Sequence, residues 1–205
     1  MRLRIVSLIA ASVYLLSGCA TGQMEETAAA AEGTAINTPR SYEIGIEEYS
    51  AGDSEYTGFY NNFEFKATIL NTPIRERTHK RQETYFQWDE NKSASERAKY
   101  TQELSSETKV FVSFFTPDRK NDNLTEDKSI WRVYLDVGGQ RYQGEVKRVR
   151  TLLAELQSLY PYHTRWNTSY MFHFKIPTTA IESQPSKLTI TGPLGTRDVS
   201  FPGVK

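Results

Sequence analysis

Apolar residues recur at every second position in a series of short runs from Ser41 onward in this chain of 205 residues, and that spacing limits its fold more than any other feature. Successive side chains of a strand point to opposite faces, so period two calls for sheets with one buried face. Tyr42, Ile44 and Ile46 keep the spacing, as do Phe63, Phe65, Ala67 and Ile69, and then Val110, Val112 and Phe114. Trp131, Val133, Leu135 and Val137 follow, and Gly138 and Gly139 separate them from Tyr142, Val146 and Val149. Paired glycines between two such runs signal a tight hairpin whose central residues need positive φ. Tyr170, Phe172, Phe174 and Ile176 line another face before Pro177, and Leu188, Ile190, Val199 and Phe201 flank the turn-forming Gly192, Pro193, Leu194 and Gly195. The pattern predicts about seven or eight strands in two packed antiparallel sheets, an immunoglobulin-like β-sandwich.

Two stretches break the rhythm. Thr72 and Pro73 read as N-cap and first residue of a helix running to Trp88, with Ile74, Thr78, Tyr85 and Trp88 along one side, and helical character resumes from Ser93 to Leu104. This helical insertion falls between the second and third strands. A short extra helix is expected from Arg150 to Leu159 on the stripe Leu152, Leu153, Leu156 and Leu159.

At the start of the chain, Arg2 and Arg4 precede an apolar run from Ile5 to Leu16, followed by Ser17, Gly18 and Cys19. The run is shorter than the roughly 20 residues a membrane-spanning helix needs. Leu16-Ser17-Gly18-Cys19 resembles the lipobox of bacterial lipoprotein precursors. The resemblance implies a signal peptide at 1–18, cleavage before Cys19, and acylation of that cysteine, so that the bilayer itself becomes a partner. Two or three acyl chains, at about 0.8 kcal/mol per buried CH₂, anchor a protein stably. Ala20 stands where an aspartate would favour the inner membrane, so the same resemblance points to the outer membrane. Residues 19–40 are rich in Ala, Thr and Gly and read as a flexible tether with a reach on the order of 25 Å. Residues 41–205 form the sandwich domain.

Cys19 is the only cysteine, which leaves the exported domain without a disulfide, a thiol nucleophile or a cysteine metal site. The chain carries 25 Lys and Arg against 25 Asp and Glu. Such balance argues against a dedicated nucleic-acid binder.

No coherent catalytic set emerges. Gly52-Asp53-Ser54 resembles the opening of the GDS signature of an esterase superfamily, but Glu55 follows where that family usually has leucine. Neither His163 nor His173 has the aspartate three residues earlier that the family would place there. These residues read instead as a polar turn. His79, His163 and His173 lie too far apart for a local zinc motif, and alternation turns His173 away from Phe172 and Phe174. The stretch from Asp118 to Asp127 gathers Asp118, Asn121, Asp122, Asn123, Glu126 and Asp127 without the glycine and spacing of a calcium loop. Arg75, Arg77, Lys80 and Arg81, and separately Lys147, Arg148 and Arg150, read as solvated basic faces.

One aromatic group stands apart. Tyr160, Tyr162 and Trp166 follow the leucine-striped helix in a turn-like segment, and rings with polar tips favour interfaces. They are the sequence's candidates for partner binding, unless they close one end of the core. The expectation is a non-enzymatic, membrane-anchored envelope lipoprotein without cofactor or metal, serving as a binding or structural module toward an envelope protein. A periplasmic carrier or chaperone for an apolar ligand is the alternative, followed by a cell-envelope hydrolase.

Overall fold

The second run of alternation, Phe63 to Ile69, lies on β2 (Tyr60–Ile69), where Phe63, Phe65 and Ala67 are buried. The computed structural model describes residues 39–125 and 129–204. The lipobox, Cys19 and nearly all of the expected tether fall outside the described residues, as do Glu126 and Asp127. Among the described residues β2 is joined by β1 (Ser50–Thr57), β3 (Thr108–Phe115), β4 (Arg132–Val137), β5 (Gln140–Gln143), β6 (Glu145–Arg148), β7 (Thr168–Phe174), β8 (Ser186–Gly192) and β9 (Gly195–Phe201). The helices are α1 (Pro39–Glu47), α2 (Thr72–Phe86), α3 (Glu90–Ser106), α4 (Leu153–Leu159) and α5 (Thr178–Ile181). Helices take up nearly as much chain as strands, so the fold is mixed α/β with two antiparallel sheets rather than mainly β.

The first sheet has the order β1-β2-β3-β7-β6 and the second β5-β4-β8-β9. Register sets Phe65 opposite Phe114 and Val110 opposite Phe172 on the inner face of the first sheet. In the second sheet Val133 faces Ile190 and Leu135 faces Leu188. The two inner faces meet through Trp131, whose indole packs edge-on at 4.8 Å from the Phe63 ring and 5.3 Å from that of Phe114. Phe63, Phe114, Phe172 and Phe174 are fully buried, each contributing about 2 kcal/mol through removal from water. The Gly138-Gly139 hairpin forms as the sequence predicts, with φ of 57° and 78°.

Both lateral margins of the sandwich are bridged. At one, the chain passes from β5 in the second sheet to β6 in the first through Gly144 alone, whose N–H donates to the Val133 carbonyl at 2.9 Å. A Cβ there would lie 2.7 Å from Val133 Cγ2 and 2.8 Å from Phe174 Cε1, so only glycine lets the corner close. At the other margin β9 runs beside β1, and Arg197 donates from Nε to the Ser54 carbonyl at 3.1 Å while pairing with Glu55 at 2.9 Å.

Several expected elements differ. Tyr42, Ile44 and Ile46 belong to α1, not to a strand. Tyr42 and Ile46 are four apart, share one helical face and are buried, whereas Ile44 is 63% exposed. The Gly52-Asp53-Ser54 turn is instead the middle of β1, a strand defined by its ladder to β2 rather than by apolar alternation. The helical insertion does lie between β2 and β3, but its cap is Asn71, whose side chain accepts from the Ile74 N–H at 3.1 Å. Gln87, at φ 50°, ends α2 before Trp88, and Tyr85 is exposed; the buried side is Ile74, Thr78 and His79. Helix α3 begins on Asp89, which accepts from the Lys92 N–H at 2.7 Å. The extra helix is shorter than its leucine stripe suggests: Leu156 and Leu159 are buried while Leu152 is 79% exposed.

Candidate functional site

The outer face of the first sheet carries a half-open groove. Along one rung of register Gly52 of β1 faces Lys66 of β2, which faces Ser113 of β3; along the next, Ser54 faces Glu64, which faces Phe115. The side chains of Gly52, Ser54 and Ser113 are small, so the sheet is left low there. Glu47 at the end of α1 forms one wall, and Tyr162, Thr164, Trp166 and Asn167 form the other. Together they enclose about 860 Å³.

The loop wall is fixed to the sheet at three points. Tyr160 lies flat on Phe111, centroids 3.7 Å apart and planes 6° off parallel. The Tyr162 hydroxyl meets Thr68 Oγ1 at 2.6 Å, and Thr68 Oγ1 lies 2.5 Å from Ser50 Oγ. His163 Nδ1 lies 2.8 Å from Ser113 Oγ. Behind the loop, the Tyr42 hydroxyl donates to the Leu159 carbonyl at 2.9 Å, tying α1 to α4. Burial raises the Tyr160 hydroxyl to about 12 and that of Tyr162 well above its usual range, and lowers the His163 imidazole. The loop is therefore neutral where it touches the sheet.

Of the three aromatic residues singled out in the sequence, Tyr160 is core, 6% exposed. Tyr162 is half-buried, with one side toward the groove. Trp166 is 65% exposed at the rim. The Thr164–Asn167 turn presents it: the Asn167 N–H donates to the Thr164 carbonyl at 3.2 Å, and the Thr164 hydroxyl bonds Asn167 Oδ1. In the floor, Lys66 Nζ pairs with Glu47 at 2.5 Å and stands 5.1 Å from the Tyr162 ring centroid. A second depression of about 400 Å³ shares Tyr162 and Glu47 with the groove and is lined also by Glu43, Ile44, Ile46 and Pro161.

The Ser113–His163 pair carries no sequence signal, its members standing 50 residues apart. Ser113 is fully buried and burial is the cause of the histidine's shift, and among the described residues no carboxylate is recorded against the ring. Ser54 has no histidine partner; the Asp53 carboxylate accepts from the Ser54 N–H at 2.7 Å and lies 3.8 Å from Arg197.

The other histidines and several of the acidic and basic residues singled out in the sequence are engaged within the fold. His79 Nε2 lies 3.0 Å from Ser93 Oγ between the rings of Trp88 and Tyr100. His173 stands on the outer face, as alternation predicts, with Nδ1 2.9 Å from Glu107. Glu107 is desolvated, yet hydrogen bonds from His173 and Lys109 hold its carboxyl below the usual range. Asp118 caps the turn at Arg119–Asn121, and Asp122 accepts from Thr168 at 2.5 Å. Among the described residues no three His, Cys, Asp or Glu side chains converge as metal ligands. Of the basic residues on α2, Arg75 pairs with Glu103 at 2.5 Å and Arg81 lies over the Tyr42 ring at 4.4 Å. Exposed aromatics that the sequence reading passed over, Tyr56, Phe59 and Tyr60, stand at the β1–β2 hairpin tip.

No described helix is long and apolar enough to cross a membrane. No family model matches the chain, and neither a curated protein nor a solved structure does.

Proposed function

We propose that this chain is a lipid-anchored envelope lipoprotein acting as a non-enzymatic binding module, with the groove on the outer face of the first sheet as its working surface. The observation that supports the reading is the composition of that groove. A sheet floor with small residues and a Glu47–Lys66 pair is walled by an indole held on a hydrogen-bonded turn, and among the described residues no histidine is recorded against Ser54. The anchor is Cys19, and the outer membrane is its proposed address. The immunoglobulin-like class is proposed in an architectural sense, two antiparallel sheets face to face. The order β1-β2-β3-β7-β6 departs from the A-B-E-D order of that class.

A carrier for an apolar ligand would need several hundred Å³ between the sheets. Phe63, Phe114, Trp131 and Phe172 fill the centre between the sheets, and the depression of about 480 Å³ at the Gly144 margin mixes Trp131, Val133 and Val146 with Thr125, Arg132, Gln143 and Glu145, so the carrier reading draws less support than the groove.

Metabolic labelling with a fatty-acid analogue in a Gram-negative host tests the anchor: label is expected on the wild-type chain and absent from Cys19→Ala. Affinity capture from envelopes with wild-type chain and Trp166→Ala tests the surface. Captured material that depends on Trp166 supports the reading; identical capture by both forms overturns the assignment to this groove.

A further inference from the structure

From the chemistry of the groove we infer that its ligand is an uncharged oligosaccharide. The inference rests on the groove being the working surface, as proposed above, and adds the class of molecule it holds.

The wall is suited to a pyranose ring. Trp166 is 65% exposed, yet its backbone is held by the Thr164–Asn167 turn. A large flat apolar side chain kept in water on a rigid support offers a stacking face at little ordering cost, and a sugar presents a flat C–H face to such rings. Ser54, Glu64 and Lys66 of the floor and Thr164 and Asn167 beside the indole mix donors and acceptors around one depression, as a ring with several hydroxyls requires.

Other ligand classes fit less well. In the floor, β2 and β3 are paired along both edges, and the outer edge of β1 lies beside β9 with its Ser54 carbonyl taken by Arg197, so an extended peptide finds no open edge inside the groove. Glu47, Asp53 and Glu64 line the groove with Lys66, which Glu47 already pairs, while Arg197 lies 3.8 Å from Asp53 and Arg165 stands over the Trp166 ring at 6.0 Å, so the charges roughly cancel and no cationic excess is left. That balance disfavours phosphate, nucleic acid and anionic lipid head groups.

The length of the site points to an oligomer. Tyr162 and Glu47 line both the 860 Å³ groove and the depression of 400 Å³, so the two cavities adjoin at these residues. A chain molecule stacked on Trp166 runs past Tyr162 toward Ile44 and Pro161.

Isothermal titration of the full chain with tetra-N-acetylchitotetraose and with cellotetraose tests the inference and separates N-acetylated from plain glucose chains. Binding of at least one tetramer is expected, weakened about tenfold or more in Trp166→Ala. An unchanged melting temperature in that variant shows that the loss is local. Absence of binding by both tetramers at millimolar concentration overturns the inference, as does binding indifferent to Trp166. If both tetramers fail while envelope capture still depends on Trp166, the saccharide class falls and the binding surface stands. Loss of both results removes the surface as well.

Discussion

Arg197 on β9 and Glu55 on β1 pair at 2.9 Å across a margin where no backbone ladder joins the two sheets. Glu55 is the more enclosed of the two, and the guanidinium also donates to the Ser54 carbonyl at 3.1 Å. One side chain thus covers what would be two unpaired strand edges, which otherwise invite pairing with other chains.

Replacing Arg197 with Met keeps most of the stem and removes the charge and donors. Arg197 is partly exposed, so the loss is about 1 kcal/mol, and its clearest sign is local. Amide hydrogen exchange is expected to quicken in β1 and β9 with β3 and β7 unaffected. Unchanged exchange in β1 would show that the margin is held by something other than this arginine.

Gly144 bridges the opposite margin by a different device, the absence of a side chain. Gly144→Ala sets a methyl 2.7 Å from Val133 Cγ2 and 2.8 Å from Phe174 Cε1, in a region where Phe174 is fully buried. The expected cost is about 1–3 kcal/mol, measured as a lowered urea midpoint. A neutral substitution would mean that the corner relaxes freely.

The ladders that alternation marks most clearly are those with one apolar and one polar face, such as β4 and β8, whereas β3 also carries Phe111 on its outer face, buried beneath Tyr160. What the sequence concealed follows from physical coincidences. Tyr42 and Ile46 satisfy both a two-residue and a four-residue spacing, and burial of both with Ile44 outside shows that the helix prevailed. Strand β1 has no periodic signal because its pairing with β2 and its Arg197 contacts stabilise it. The groove could not be read at all. Lys66, Ser113 and Trp166 are brought together by register and by a loop packed across the sheet, and neither leaves a local pattern. The sequence did mark the loop that supplies one wall, and left open whether its rings were core or surface.

Acid should weaken the fold in a particular window. Burial lowers the imidazole of His163 and is the main cause of the lowered His79, with the like charge of Arg97 adding to it. The unfolded chain then binds protons that the folded chain refuses as pH falls below the ordinary histidine value of about 6.5. Stability present near neutral pH therefore declines as acid is added through that value, and levels off once pH passes below the folded-state values. Glu96, held at about 2, and the lowered Glu107 contribute only below the carboxylate range, so the window above it isolates the histidines. Melting temperature should fall from pH 7.5 to 5, and His163→Asn should flatten part of that slope. An equal slope in the variant would remove His163 from the account.

Tyr160 and Trp166 stand six positions apart in one loop, yet their truncations should diverge. Tyr160 is stacked on Phe111 at 3.7 Å and 6% exposed, so Tyr160→Ala leaves a cavity against the sheet and frees the loop from one of its three attachments. A loss of about 3 kcal/mol is expected. Trp166, 65% exposed, contacts too little of the fold for truncation to change stability by more than roughly 0.5 kcal/mol. Urea titration of the two variants separates them. If Trp166→Ala proved as costly as Tyr160→Ala, the indole would belong to the packing of the sandwich, and its exposure could no longer be interpreted as a surface kept open for a ligand.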